Sequence, residues 1–118
     1  MSSLNVKQQE KQLDAWTMSA MQFPTIRSSQ HAFLWAVAVM DGPTITELAS
    51  RLGTTVGGVS RNIDIFGSGK KKNSARHKQW GLVEVKNHPD DDRLQLVFLT
   101  AKGRNYINLF TKTFIGEQ

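Results

Sequence analysis

A mainly α-helical fold with one small β-hairpin is what the sequence predicts, and three observations carry it. Two short amphipathic segments meet at a glycine between Thr44 and Phe66. A clean apolar alternation follows from Arg93 to Leu99, and helical periodicity resumes after Thr100. The 118 residues suit one domain with a core of its own, and six Phe and three Trp supply the bulk to fill it. The absence of cysteine excludes a disulfide scaffold, cysteine-based zinc sites and thiol nucleophiles.

The first helix is expected from about Lys7 to Met21, with Leu13, Trp16, Ala20 and Met21 near a helical period. Phe23 resists the α region because it precedes Pro24, which ends this helix. Ser28 or Ser29 can cap a second helix running to Met40, apolar all round from Ala32 onward and therefore central. Asp41-Gly42-Pro43 stops it.

Thr44-Ile45-Thr46-Glu47 is a capping box, since hydroxyl and carboxylate at that spacing satisfy each other's free backbone donors. The short helix behind it carries Ile45, Leu48, Ala49 and Leu52 on one face and closes at Gly53. Thr55 caps the next helix, whose apolar stripe reads Val56, Val59, Ile63 and Phe66. Two short helices around a glycine turn form a helix-turn-helix pattern, or an ordinary helical hairpin.

Leu82–Lys86 and Arg93–Leu99 read as strands, the second with Leu94, Leu96 and Phe98 on one face, around a turn at Asn87–Asp92. Thr100 caps a last helix with Ile107, Phe110 and Phe114 at one face. A helix-turn-helix followed by a hairpin is a winged helix-turn-helix. The expected organisation is one domain over 1–118: N-terminal helices over 1–41, the helix-turn-helix over 44–66, a basic insertion over 67–81, the wing over 82–99 and a C-terminal helix over 100–118. Trp16, Phe33, Trp35, Tyr106, Phe110 and Phe114 are most simply core residues.

Charge concentrates where the winged helix would use it. Arg61, Lys70, Lys71, Lys72, Arg76, Lys78 and Lys86 are opposed between positions 61 and 86 only by Asp64 and Glu84, an excess equal to the whole chain's net charge of +5. A basic segment of this kind fits an anionic partner, with a solvated charge run as the plain alternative. The polar N-terminus shows no signal-peptide core, and the longest apolar stretch, Ala32 to Met40, is too short for a membrane span, so a cytoplasmic protein without membrane contact is expected.

Five blocks in order carry a family resemblance: Leu48-Ala49-Ser50-Arg51-Leu52-Gly53; Val59-Ser60-Arg61; Gly81-Leu82-Val83-Glu84; Pro89-Asp90-Asp91-Asp92-Arg93; and Leu99-Thr100-Ala101-Lys102-Gly103-Arg104. Together they resemble the MarR family of transcription regulators over roughly residues 44–106. The resemblance implies a double-stranded DNA-binding regulator of transcription, acting as a homodimer joined through its N- and C-terminal helices, without a cofactor. A last helix ending by Gln118 is shorter than that family's. The resemblance also places Arg93 at the wing, as a minor-groove probe or as a brace for the tip.

A recognition helix enters the major groove by its N-terminal end, where small residues permit close approach. Thr54, Thr55, Gly57, Gly58, Ser60, Arg61 and Asn62 stand there, with Thr55 suited to a phosphate and Arg61 and Asn62 to guanine and adenine. Lys70, Lys71, Lys72, Arg76 and Lys78 are the expected phosphate contacts. Two features depart from the family pattern. Gly57 and Gly58 each weaken a helix by roughly 1 kcal/mol relative to Ala, and the link from Phe66 to Gly81 is long, either a loop or an added helical turn over Ser74–Trp80.

Catalysis finds no footing. Gly67-Ser68-Gly69-Lys70 lacks the earlier glycine and the hydroxyl of a phosphate loop, and Gly58-Val59-Ser60-Arg61-Asn62 is not a nucleophile elbow. His31, His77 and His88 have no metal-binding spacing, and Asp90-Asp91-Asp92 is a solvated turn tip. No enzyme and no metal are therefore expected. Two rivals to the regulator are a winged-helix module gripping a protein partner of the transcription or replication machinery, and a single-strand binder using the basic loop and Trp80.

Overall fold

The computed structural model describes residues 3–67 and 80–116. Its elements are α1 (Ser3–Gln22), α2 (Ser28–Val39), α3 (Ile45–Leu52), α4 (Val56–Phe66), β1 (Val83–His88), β2 (Asp91–Leu99) and α5 (Ala101–Ile115). The chain divides into two compact units, one spanning Ser28–Arg104 and the other joining α1 to α5 from Asn105 onward.

In the Ser28–Arg104 unit, local chemistry sets the element ends. Gly42 and Gly53 both adopt the left-handed conformation, at φ 60° and 65°, and turn the chain at the ends of α2 and α3. Phe33, Leu34, Leu48, Val59, Phe66, Leu82, Val83 and Val97 are fully buried, so α2, α3, α4, β1 and β2 all contribute to one core. The Phe33 and Phe66 rings stack 5.9 Å apart at its centre, joining α2 to α4. The fully apolar stretch of α2 is buried over most of its surface, although Val39 at its end is exposed.

The hairpin is longer and tighter than the sequence suggests. The ladder runs from Val83 opposite Leu99 to Asn87 opposite Gln95, then shifts so that His88 faces Asp91. Only Pro89 and Asp90 remain in the turn, and Asp92, Arg93 and Leu94 have no partner across the ladder. This bulge corrects the simple alternation, because it lifts Leu94 out of line and leaves it exposed. Val97, on the face opposite to Leu96 and Phe98, is the buried residue of β2. Pro43 and Thr44 extend the sheet, with Val97 N–H donating to the Pro43 carbonyl at 2.9 Å and Thr44 bridging Leu96.

The start of α5 is held by the backbone carbonyls of Gly81 and Leu82. Thr100 N–H donates to the Leu82 carbonyl at 3.0 Å, and the Thr100 hydroxyl donates to the Gly81 carbonyl at 2.6 Å while accepting from Gly103 N–H at 3.0 Å. Gly103 packs directly against the same Leu82 carbonyl, where a Cβ would collide with backbone.

In the other unit Tyr106, Ile107 and Phe110 of α5 are buried, as are Ala15 and Ser19 of α1 and Phe23 just beyond it. The Tyr106 hydroxyl donates to Ser19 Oγ at 2.6 Å, a satisfied pair inside an otherwise apolar contact. Trp16 meets Phe110 edge-on at 5.1 Å, and Phe23 meets Tyr106 likewise at 4.8 Å. The apolar residues singled out on α1 are not its inner face. Leu13 and Met21 are 64% and 79% exposed and Trp16 is half-exposed, because small Ala15 and Ser19 are what allow α5 to approach.

Helix propensity alone says that Gly103→Ala should stabilise α5 by about 1 kcal/mol. The Leu82 carbonyl reverses the sign: urea unfolding should show a loss of about 1–3 kcal/mol, as for overpacking. A variant at least as stable as the parent would show that this contact is not close.

Candidate nucleic-acid interface

The helix-turn-helix is assembled by its caps. Glu47 N–H donates to the Thr44 hydroxyl at 3.1 Å, and Thr44 N–H donates to Glu47 Oε1 at 2.9 Å, which completes the capping box. The bond from the Thr44 backbone holds the Glu47 carboxyl below its ordinary pKa. The chain leaves α3 through Gly53, and Thr54 N–H returns to the Ala49 carbonyl at 3.0 Å. Thr55 then caps α4, its hydroxyl accepting from Gly58 N–H at 3.0 Å. Val56 and Gly57 are the first two residues of α4, where helix geometry leaves amides without intrahelical acceptors.

The residues expected at this tip separate by position. Thr54, Thr55, Gly57 and Arg61 are exposed, whereas Gly58, Ser60 and Asn62 are half-buried. At about 100° per residue, Arg61 lies within about 40° of Gly57 on the outward face, while Asn62 lies about 40° from buried Phe66. Asn62 therefore sits on the flank nearer the core. Arg61 has no ion-pair partner among the described residues. Its guanidinium leans back toward the helix start, so that a Cβ at Gly57 would stand 3.7 Å from Nη1 and one at Gly58 would stand 3.8 Å from Nη2. The side of Gly58 is tighter, with Thr54 Oγ1 2.8 Å from where a Cβ would be.

One residue of α4 departs from its sequence pattern. Val56 heads the apolar stripe, yet it is 49% exposed while Val59 and Phe66 are buried. It is the first residue of a helix whose core contacts begin with Val59. No periodicity rule distinguishes the two valines; only the depth of the core does.

At the other end of α4 the chain leaves at Gly67 and returns at Trp80. Trp80 N–H donates to the Ile65 carbonyl at 3.2 Å, Leu82 N–H to Phe66 at 2.7 Å and Gly81 N–H to Gly67 at 2.9 Å. These bonds satisfy carbonyls at the helix terminus and bring the two ends of the insertion together. Lys70, Lys71, Lys72, Arg76 and Lys78 lie outside the described residues.

At the wing, Arg93 is 90% exposed and gripped from one side by Asp91. Its Nε donates to Asp91 Oδ1 at 3.1 Å, its Nη2 to Oδ2 at 3.2 Å, and its backbone N–H also reaches Oδ1 at 3.0 Å. These bonds from Arg93 hold the Asp91 carboxyl below its ordinary value of 3.8. The clasp orients Arg93 without covering it. Asp91 was not singled out on its own in the sequence, where it is one of three consecutive aspartates.

The histidines have structural surroundings. His31 is buried and stacked on Trp35 at 4.4 Å, and burial lowers its pKa, while His88 Nδ1 accepts from Asp90 N–H at 3.0 Å. No group of three His, Asp or Glu residues able to hold a metal occurs among the described residues. No helix among them is long and apolar enough to cross a membrane.

No protein-family model matches the sequence, and no curated protein does so closely enough to count. Solved structures do match. MepR of S. aureus, in a structure of its DNA complex, is 23% identical with a TM-score of 0.65 over 96% of this chain and 83% of that one. A mutant MarR of E. coli, complexed with operator DNA, is 21% identical with a TM-score of 0.61 over 93% and 70%. YusO of Bacillus subtilis is 17% identical with a TM-score of 0.61 over 95% and 68%. These neighbours are winged-helix regulators of the MarR family.

This chain has the MarR winged-helix fold. Within it, α3 and α4 are the helix-turn-helix and β1–β2 the wing. The basic insertion does not break the MarR architecture, because the backbone bonds at Trp80–Leu82 rejoin the wing to the end of α4.

The Asp91–Arg93 clasp has a defined pH signature. A carboxyl whose folded pKa is depressed contributes stability above its unfolded value, and that contribution is lost as pH falls through the folded value. The Asp91 side-chain carbon resonance should therefore titrate below 3.8, and Arg93→Ala should return it toward that value. Titration of Asp91 at its ordinary value in the parent protein would mean that the clasp does not form in solution.

Proposed function

We propose that this chain is a sequence-specific, double-stranded DNA-binding regulator of transcription that works by binding rather than catalysis. The observation that carries the reading is the open tip of α4. Exposed Thr54, Thr55 and Gly57 surround an arginine with no ion-pair partner among the described residues, at a helix end that favours anions. The MepR and MarR structures that share the fold are DNA complexes, which supports the same partner here.

In this reading α4 enters the major groove by its N-terminal end. Thr54 and Thr55 meet phosphates, Gly57 and Gly58 allow close approach, and Arg61 reads guanine with Ser60 beside it. Asn62 borders the core and supports the helix from that flank. Arg93, presented by Asp91, enters the adjacent minor groove, which joins the two roles the sequence leaves open. Lys70, Lys71, Lys72, Arg76 and Lys78 hold the DNA backbone from the insertion.

The protein acts as a homodimer. Leu13 and Met21 on α1, and Leu109 and Ile115 on α5, are exposed large apolar side chains of the α1–α5 unit, and exposed side chains of this kind fit burial against a second copy. Leu13→Glu with Met21→Glu removes apolar contacts that the single chain does not bury. Light scattering coupled to size exclusion should give a dimer mass for the parent and a monomer mass for the variant. A monomeric parent would end the dimer reading.

The two classes of basic residue should separate in mobility shifts. Arg61→Ala should cost about ten-fold or more on a duplex enriched by the protein from a random pool, and much less on random duplex. Replacing Lys70, Lys71 and Lys72 with Ala should weaken both duplexes alike and reduce the salt slope by roughly 0.9 per lysine. Equal losses for Arg61→Ala on both duplexes would make that residue a phosphate contact only, and an unchanged salt slope would remove the lysines from the interface.

A further inference from the structure

We infer that Val56 is a specificity-determining residue whose methyl groups pack on the 5-methyl group of a thymine in the major groove; this rests on the duplex-DNA reading above. Among the described residues of the Ser28–Arg104 unit the exposed large apolar side chains are Val39, Val56 and Leu94, and Val56 alone of these stands on α4. Helix formation gives no reason for it. A β-branched residue is a poor helix former, and Thr55 already supplies the cap.

Its surroundings give the reason. Val56 sits between the exposed Thr55 and the exposed Gly57, which has no side chain to screen it, on the opening turn of α4 and about 140° round the helix from Arg61. An apolar side chain exposed beside the Thr55 hydroxyl at a helix tip recognises an apolar group on an otherwise polar surface. Among the base edges of the major groove the thymine 5-methyl is the one apolar group that projects into the groove, beside hydrogen-bond donors, acceptors and the small C5–H of cytosine. Val56 and Arg61 thus supply complementary readings, one for a methyl group and one for the acceptors of guanine.

The test uses the full chain and duplexes that it enriches from a random-sequence pool. Each thymine of the enriched duplex is replaced in turn by deoxyuridine, which removes one methyl group and leaves base pairing intact, and affinities are compared for the parent and for Val56→Ala. At one thymine per half-site the parent should lose about four-fold, the effect of exposing one methyl-sized group, and Val56→Ala should lose nothing further there. Thermal unfolding of Val56→Ala should match or exceed the parent's, since the side chain is outside the core; a clear drop would assign Val56 to packing and overturn the inference. Deoxyuridine that costs the parent nothing at any position, or costs the variant equally, overturns the role of Val56 while leaving DNA binding in place. Failure to enrich any sequence overturns both.

Discussion

The backbone of Leu82 is the point on which the Ser28–Arg104 unit depends. Its N–H closes the C-terminal end of α4 on Phe66, and its carbonyl accepts from Thr100 as β2 ends and α5 begins. Gly103 lies against the same carbonyl because it carries no side chain. Helix, wing and following helix are thus tied through one residue whose backbone donor and acceptor are both used, in a setting where Leu82 is fully buried.

The opening turn of α4 obeys a different rule. Two glycines in succession and an exposed valine are poor choices for a stable helix. Thr55 restores part of what they lose, and Val59 and Phe66 hold the helix to Phe33 and Leu48 in the core. Stability is supplied from below the tip, which leaves the tip itself narrow and open. This division between a packed base and an unencumbered end is what a helix needs to enter a groove.

Much of the fold was legible in the sequence, and the legible parts were those set by local chemistry. Thr44 with Glu47, Thr55, Thr100, Gly42 and Gly53 act within a few residues of themselves, and each bond or turn they announce is present. What was not legible depends on distant partners. Val97 rather than Leu96 or Phe98 is the residue of β2 at the centre of the core, and alternation alone reads both faces of that strand equally well. Ala15 and Ser19 form the inner face of α1 because α5 comes close, although Leu13 and Met21 are the more hydrophobic residues. Val56 continues the stripe of Val59 and Phe66 in one dimension and leaves it in three. At the candidate site, residue chemistry marked Arg61 and Arg93, while the orientation of one over a glycine pair and the clasp on the other required coordinates.

The central claim is that the α4 tip and the wing arginine meet one duplex together. Amide chemical-shift mapping of the labelled full-length chain on addition of an enriched duplex tests this most directly, with the matching single strand as the control. The account predicts concerted shifts at Thr54–Arg61 and at Arg93 with the duplex, saturating together, and little response to the single strand. Shifts confined to other surfaces, or equal responses to both nucleic acids, would contradict it.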